Sequence, residues 1–386
     1  MLGLTILWTF TGFLSVGVIG LNFLYTKKKA LSDWKIDKDP LYLPKISIII
    51  PTFNEEKIIE YKIRNMMKVE YPLNLIEFIF VDSLSNDSTL KIINEITSYY
   101  SDRNIKILID TEKRGKSNAL NLALKQCDCE IVVISDADCF LSFKSLIAAV
   151  SYFHDNGIGA VTGPKRLLNN ESSWVTKSEE NYLNSMNLMK LGDSKIGSTI
   201  FFEGGFSAFR RNIIDSFDPY DTGSDDCGTV ISVLEKNYRA IMLPEAEFFT
   251  TFPNAFKQKI SVKIRRSSQL LSILQIYLFN ILHNKIQKSR FIILKNIMLY
   301  LFGPFIFMIF AISTIFLLFK IPLLSFLFLF LLIPKAREYS FELIFGYLIF
   351  FFSFFILLLG RKFLHWEKPE DRKFFTKKDL IEKNLI

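Results

Sequence analysis

Apolar and polar residues follow two regimes along this chain. Near its ends the apolar positions run on unbroken. Residues 2–25 form a stretch of 24 without a charge, and residues 297–319 and 343–360 form two more. Each approaches the roughly 20 residues that cross about 30 Å of hydrocarbon as a helix. No charged side chain precedes the first run, and Lys27, Lys28 and Lys29 follow it. It therefore reads as a membrane anchor, not a cleaved signal peptide. The three lysines then face the cytoplasm, with the amino terminus outside. Residues 323–333 are apolar but only 11 long, too short to cross unaided, which leaves two or three spans in the carboxy-terminal part.

Between these runs the pattern shortens. Residues 46–50, 76–81, 105–109 and 131–135 are brief Ile-, Val- and Phe-rich runs of strand length, the first broken by Pro51. Residues 55–69, 89–100 and 116–126 read as helices between them. Strands alternating with helices of this length pair in parallel, with helices on both faces of the sheet. Further on, residues 160–163 read as a strand, 169–189 as a polar helix or loop, and 222–237 as a turn leading into a helix. Residues 254–284 mix Lys257, Lys259, Lys263, Arg265 and Arg266 with apolar positions. That suits one or more amphipathic helices in the membrane interface, cations towards the headgroups. The fold expected is α/β with a mostly parallel sheet, plus transmembrane and interfacial helices.

In such sheets ligands bind beyond the carboxyl ends of the strands. Polar clusters fall there in series: Thr52, Asn54 and Glu55, then Asp82, then Lys113-Arg114-Gly115-Lys116, then Asp136 and Asp138. Residues i and i+2 of an extended chain point the same way. Asp136 and Asp138 thus offer two carboxylates together, the hard oxygen ligands that suit Mg²⁺ or Mn²⁺ bridging to a substrate phosphate. An isolated Asp-x-Asp serves equally as a turn or helix cap; four polar strand ends in register argue for a site. The basic turn before residue 116 is a phosphate cradle or a solvated loop. Asp82 accepts hydrogen bonds from a base or ribose, or caps the helix at Thr89. Gly204 and Gly205 admit a ligand close to the backbone, or form a tight turn. Asp225 and Asp226 cap a helix, or one of them is a general base over an acceptor hydroxyl.

Composition sharpens this picture in two respects. Many of the 39 phenylalanines lie in the last quarter, separating a globular front from a membrane-like back. The net charge of +8, beside apolar segments this long, matches an anionic membrane surface and not nucleic acid. Cys127, Cys129, Cys139 and Cys227 have neither zinc-site nor disulfide spacing and read as reduced, buried residues. His154, His283 and His365 are scattered, which argues against a histidine-based triad.

Six segments then recur in a particular order between about residues 45 and 269. They are Pro51-Thr52-Phe53-Asn54-Glu55-Glu56, Val81-Asp82 with Asp87 to Thr89, and Arg114-Gly115-Lys116 with Asn118 to Asn121. Asp136-Ala137-Asp138, Glu203-Gly204-Gly205 with Phe209-Arg210-Arg211, and Asp225-Asp226 complete the set. This order resembles membrane-bound family-2 glycosyltransferases, whose catalytic domain has the GT-A nucleotide-sugar-binding fold. The resemblance implies donor contacts from Pro51, Thr52, Asn54, Glu55, Asp82, Gly115, Lys116 and Asp136, and a Mg²⁺ or Mn²⁺ ion on Asp136 and Asp138. It implies acceptor contacts from Gly204, Gly205 and Asp225, and Asp226 as base. Processive members carry Gln-x-x-Arg-Trp; here residues 262–266 lack the Gln and the Trp. Arg265 and Arg266 remain for the leaving diphosphate, but the aromatic platform for a growing polymer is missing.

The activity expected is inverting transfer from a nucleotide-diphospho-sugar to a lipid-linked, polyprenyl-type acceptor or another glycan. A processive polysaccharide synthase, a sugar-phosphate nucleotidyltransferase and a non-catalytic sugar-nucleotide-binding module are the rivals. The domain scheme is an anchor (1–26), a linker (27–44), a catalytic domain (45–253), interface helices (254–290), a membrane region (291–361) and a polar tail (362–386). The protein is expected in the cell membrane among its lipids, with several passes, no nucleic-acid partner, and the catalytic domain facing the cytoplasm.

Overall fold

The computed structural model describes residues 1–34, 36–112, 115–360 and 375–386. Lys113 and Arg114 of the basic turn, and the start of the tail with His365, lie outside the described residues. The first element is a helix, α1 (Leu2–Ala30), that continues five residues past the charge-free run through the lysines. An α/β domain follows: β1 (Ile46–Thr52), α2 (Ile59–Met67), β2 (Ile76–Asp82), α3 (Thr89–Ser98), β3 (Asn104–Ile109), α4 (Lys116–Leu124) and β4 (Ile131–Ile134). Then come β5 (Phe140–Leu141), α5 (Ser145–Ser151), β6 (Ile158–Thr162), β7 (Lys165–Leu167), α6 (Trp174–Ile196) and β8 (Ser207–Arg210). The domain closes with α7 (Asp225–Glu235), β9 (Arg239–Met242), β10 (Phe248–Thr250) and α8 (Phe256–Leu282).

Seven strands form one sheet in the order β3-β2-β1-β4-β8-β6-β9. All pairs are parallel except those of β8, which runs antiparallel to both β4 and β6. β5, β10 and β7 make a small second sheet that the sequence pattern does not announce, its strands being too short to show a period. In β1 and β4 both faces are covered, so the run is apolar throughout. Ile46, Ile48 and Ile50 join one core with α2, α3 and α5. Ile49 joins the other, with α4, α7 and α8.

Two boundaries differ from expectation for local reasons. Pro51 lies inside β1, not beyond it. The last bond on the β4 side is from Ser135 N–H to the Ile49 carbonyl; Pro51, facing the same side two residues on, needs no donor there. Helix α2 starts at Ile59, not near 55, because Asn54 takes a left-handed φ of 55° and the next amides are drawn to the neighbouring loop.

Two long apolar helices follow α8: α9 (Arg290–Lys320) and α10 (Pro334–Leu358). Between them Pro322–Leu332 is a 3₁₀ stretch, so the described residues contain two helices of spanning length after the domain, and three in all with α1. The second core runs on into Ile293, Ile297 and Leu301 at the base of α9, which joins catalytic and membrane parts into one packed body. Helix α1 lies along α6, where a Cβ at Gly192 would sit 2.2 Å from the Thr26 carbonyl oxygen. The end of the tail is not merely polar. It carries α11 (Lys377–Glu382), and Leu380 and Leu385 bury themselves against Phe140.

Candidate active site

The ends of β1 and β2 are fastened to each other. Asn54 N–H donates to Ser85 Oγ (3.0 Å), Glu55 N–H to Thr89 Oγ1 (2.7 Å) and Glu56 N–H to Asp87 Oδ2 (3.2 Å). Asn86 N–H donates back to Asn54 Oδ1 at 2.8 Å. Buried Asp82 accepts from Ser85 Oγ at 2.6 Å and Ser85 N–H at 3.0 Å, and from Thr52 Oγ1 at 3.4 Å. Asp82 thus organises its own loop and does not cap α3, whose Thr89 N–H donates to Asp87 Oδ1 at 3.0 Å; it stands at the carboxyl edge where a donor would lie.

The centre is Lys116, the first residue of α4. Its ammonium lies 2.6 Å from Asp136 Oδ1 and 2.8 Å from Asp225 Oδ2. Burial opposes its charge, but Asp136, Asp225 and Asp226 outweigh that and raise its pKa. Asp225 answers the other way: burial, with Asp226 and Asp136 adding to it against Lys116, pushes its carboxyl up to about 6. Gly204 abuts this cluster. A Cβ there would lie 2.8 Å from Lys116 Nζ, 3.2 Å from Asp136 Oδ2 and 3.7 Å from Asp226 Oδ2. Only a bare backbone leaves that space open.

Asp226 sits beside Asp225 in the first turn of α7, where the helix dipole favours carboxylates. Its Oδ1 accepts from Ser224 Oγ (2.5 Å) and Cys227 N–H (2.7 Å), so it is Oδ2 that faces Gly204. The preceding turn is set by Asp218, which accepts from Thr222 and Gly223. Gln269 of α8 donates to the Gly223 carbonyl at 2.5 Å, tying α8 to the turn. Arg265 and Arg266 of α8 line the same cavity.

Ligand atoms of Asp136, Asp138 and Cys139 lie within 4.8 Å of one another. Two carboxylates this close together, with Asp136 beside the open space at Gly204, fit a hard divalent cation; the Cys139 thiol does not belong to that ligand class. The loop carrying them is held from beneath by α2. Buried Lys62 donates to Ser135 Oγ (2.6 Å) and to the Cys139 carbonyl (2.7 Å). Burial pulls its pKa down to about 8, against the opposing fields of Cys139, Asp136 and Asp138. One turn on, Asn65 pairs with both the N–H and the carbonyl of Leu141, and donates to the Leu385 carbonyl.

A cavity of about 710 Å³ opens from this cluster. Its middle is a belt of buried ions. Glu203 lies 2.6 Å from Lys165 and 2.5 Å from Lys190. Burial opposes its charge, but these lysines and Arg266 hold its pKa well below the usual range. Glu179 meets Lys263 at 2.9 Å, and Lys259 meets Glu342 of α10 at 2.9 Å. This corrects one expectation about α8: Lys259 and Lys263 turn inward to buried Glu179 and half-buried Glu342 and not outward to headgroups, while Lys257 stays exposed. Beyond the belt the walls are apolar and come from Ile19 of α1, Leu299 and Tyr300 of α9, and Phe345 and Phe350 of α10.

Of the residues singled out from sequence, Gly115, Lys116, Asp136, Gly204, Gly205, Asp225, Asp226, Arg265 and Arg266 line this one cavity. Pro51, Thr52, Asn54, Glu55, Asp82 and Asp138 do not, and of these only Asp138 lies in a loop that does, through Asp136 and Cys139. Sequence reading passed over Lys62, Asn65, Lys165, Lys190 and the Asp110 at the end of β3, which accepts from Asn118 at 2.8 Å. Only Asp110 carried a signal, an acid at a strand's carboxyl end. The four cysteines form no disulfide, and of them only Cys139 is fully buried.

A parallel sheet whose carboxyl edge gathers Lys116 with three carboxylates, joined to membrane-length helices, defines a GT-A glycosyltransferase. The family model described as "Glycosyltransferase like family 2" matches residues 44–268, and the chain belongs to that family. It is 26% identical over 249 residues to the probable glycosyltransferase YdaM of Bacillus subtilis, covering 62% of this chain and 57% of that protein. It is 28% identical over 179 residues to a Staphylococcus aureus poly-beta-1,6-N-acetyl-D-glucosamine synthase, covering 46% and 42%. The chain thus spans about half the length of these curated relatives. Among solved structures, a mannosyltransferase from Pyrobaculum calidifontis, in complex with GDP-Man and Mn²⁺, superposes with a TM-score of 0.78. That match has 24% identity and covers 93% of this chain and all of the other.

Proposed function

We propose that this enzyme transfers a sugar from a nucleotide-diphospho-sugar to a lipid-linked acceptor, with inversion, at the cytoplasmic face of the membrane. One observation carries the reading. A single cavity joins the Lys116–Asp136–Asp225–Asp226 cluster to apolar side chains of α1, α9 and α10. A water-soluble acceptor has no use for walls made by three membrane helices; a lipid chain does. Lys27, Lys28 and Lys29 at the end of α1 favour the cytoplasmic side for the domain.

The chemistry asks for charge where the leaving group forms and a base where the acceptor attacks. Asp136 and Asp138 would hold a divalent cation, whose contribution is Lewis-acid stabilisation of the leaving diphosphate. Lys116, Arg265 and Arg266 add fixed positive charge in a site shielded from water. Asp226 Oδ2 takes the proton of the acceptor hydroxyl as that oxygen bonds to the anomeric carbon and the bond to the diphosphate breaks. An aspartate carboxylate is a weak base, so its contribution rests on position. Ser224 Oγ and Cys227 N–H fix Asp226 through its other oxygen.

The test is a donor screen on the full chain in detergent, with Mn²⁺ or Mg²⁺ and polyprenyl lipids. Metal-dependent nucleoside diphosphate release with labelled sugar in the lipid phase, lost in Asp138→Ala, is the expected result. Label in a long water-soluble chain would instead establish the polymerising reading, which the similarity to the staphylococcal polysaccharide synthase favours. Donor binding with no turnover on any acceptor would overturn both.

A further inference from the structure

A second cavity, of about 400 Å³, lies away from the catalytic one and is lined by Trp34, Lys195, Gly197, Arg239, Lys288 and Ser289, with Ile196. Its place in the chain fixes its level. Trp34 stands four residues past the end of α1, and Ser289 immediately precedes α9. The cavity therefore sits where two spanning helices meet the domain. Three of its lining residues are cations, and none is an acid.

The hydrogen-bond partners of Lys195 and Arg239 do not neutralise them. Lys195 donates to the Ala30 and Ser32 carbonyls at the end of α1. Arg239 donates to the Gly197 carbonyl at 2.8 Å and the Ser194 carbonyl at 2.9 Å, at the end of α6. Helix carboxyl ends carry only about half a negative charge each, so roughly two of the three positive charges remain. Asp155, whose field reaches Arg239, holds Gly157 N–H and is not in the lining. Helix α9 contributes the opposite pole: its amino end points here, and no side chain caps it. Ser289 there has a left-handed φ of 65°. Trp34 stacks over Lys195 with the ammonium 5.4 Å from the ring centroid, an amphipathic ring of the kind that settles at headgroup depth.

We infer that this cavity binds the phosphate headgroup of an anionic membrane lipid. The inference is separate from the transferase reading and requires only that α1 and α9 cross the membrane. The uncapped amides of α9, Lys195, Arg239 and Lys288 supply the phosphate contacts, and Trp34 lies along the glycerol level.

The experiment uses the full chain in nanodiscs of phosphatidylcholine, with and without phosphatidylglycerol, reading co-purified lipid by native mass spectrometry and thermal stability in parallel. Wild-type protein should retain phosphatidylglycerol and melt higher with it. Lys288→Gln, at an exposed side chain with little bearing on folding, should weaken retention roughly fivefold, the effect of about one basic charge at a membrane surface. Lys285→Gln, three residues away and outside the lining, is the control and should change little. Equal losses in both variants would reduce the effect to diffuse surface charge and overturn the site. Equal protection by inorganic phosphate in neutral nanodiscs would identify a soluble anion as the ligand and overturn the lipid.

Discussion

At the scale of single residues the site turns on how Asp225 and Asp226, adjacent in sequence, are made different. Asp225 is buried against Lys116, and its carboxyl is pushed up from 3.8 to about 6. Between those values the folded state holds a proton that the unfolded chain has released. Stability therefore falls as pH rises through that window, and the whole penalty, about 3 kcal/mol, applies above pH ~6. Asp225→Asn removes it. Compared by thermal melts in chelator, the variant should gain on wild type between about pH 4.5 and 7.5; a difference independent of pH would refute the assignment. Asp226 has a different task. Its Asn variant should lose about 10²-fold or more in turnover while donor affinity, measured by calorimetry, stays nearly unchanged. Near-normal turnover would remove Asp226 as the base.

At the scale of elements the acid loop between β4 and β5 rests on α2. Lys62 holds its two ends through Ser135 and Cys139, and Asn65 holds Leu141. Ser135 also donates to the Gly205 carbonyl at 3.0 Å, so the same contact reaches the glycine segment. Lys62→Met should raise the Mn²⁺ concentration needed for half-maximal activity far more than it lowers activity at saturating Mn²⁺. A uniform fall at all Mn²⁺ levels would mean a merely structural role. This support is also where sequence reading stops. The strand ends were legible because buried parallel strands are apolar and stop at polar residues, which places Asp82, Lys116, Asp136 and Asp138 at one edge. Lys62 and Asn65 sit mid-helix, one turn apart, and nothing in a helical pattern distinguishes a lysine turned inward from one in solvent. The same blindness hid Lys259 and Lys263: a basic stripe on α8 predicts headgroups unless Glu179 and Glu342, far away in sequence, are known to meet it. β8 escaped notice because its direction is set by neighbours and not by its four residues.

At the scale of the molecule, span count and tail position must agree, and they do. If the three helices of spanning length cross a membrane, α1 delivers the chain to the domain's side, α9 takes it across, and α10 brings it back. Two spans after the domain return the tail to the catalytic side; a third would strand it opposite. Independently, the tail packs on the domain. Leu380 and Leu385 bury against Phe140, Phe375 meets the Phe140 ring edge-on at 5.2 Å, and Asn65 donates to the Leu385 carbonyl at 2.7 Å. Phe140 follows Cys139 directly, so the last residues of the chain brace the same loop that Lys62 holds. Deleting residues 375–386 should uncover Phe140 and leave Asn65 short of a partner, with a loss of about 2–4 kcal/mol from lost apolar burial and one buried hydrogen bond. Because the loop carries Asp136 and Asp138, stabilisation by Mn²⁺ with donor should shrink along with basal stability in melting experiments. The topology itself is tested by single cysteines in a cysteine-free background, labelled from outside in intact cells with an impermeant maleimide. A cysteine at Ser325, between α9 and α10, should react, and one at Asn384 should not. Labelling of both positions would require a further crossing, incompatible with Leu385 resting on the catalytic domain.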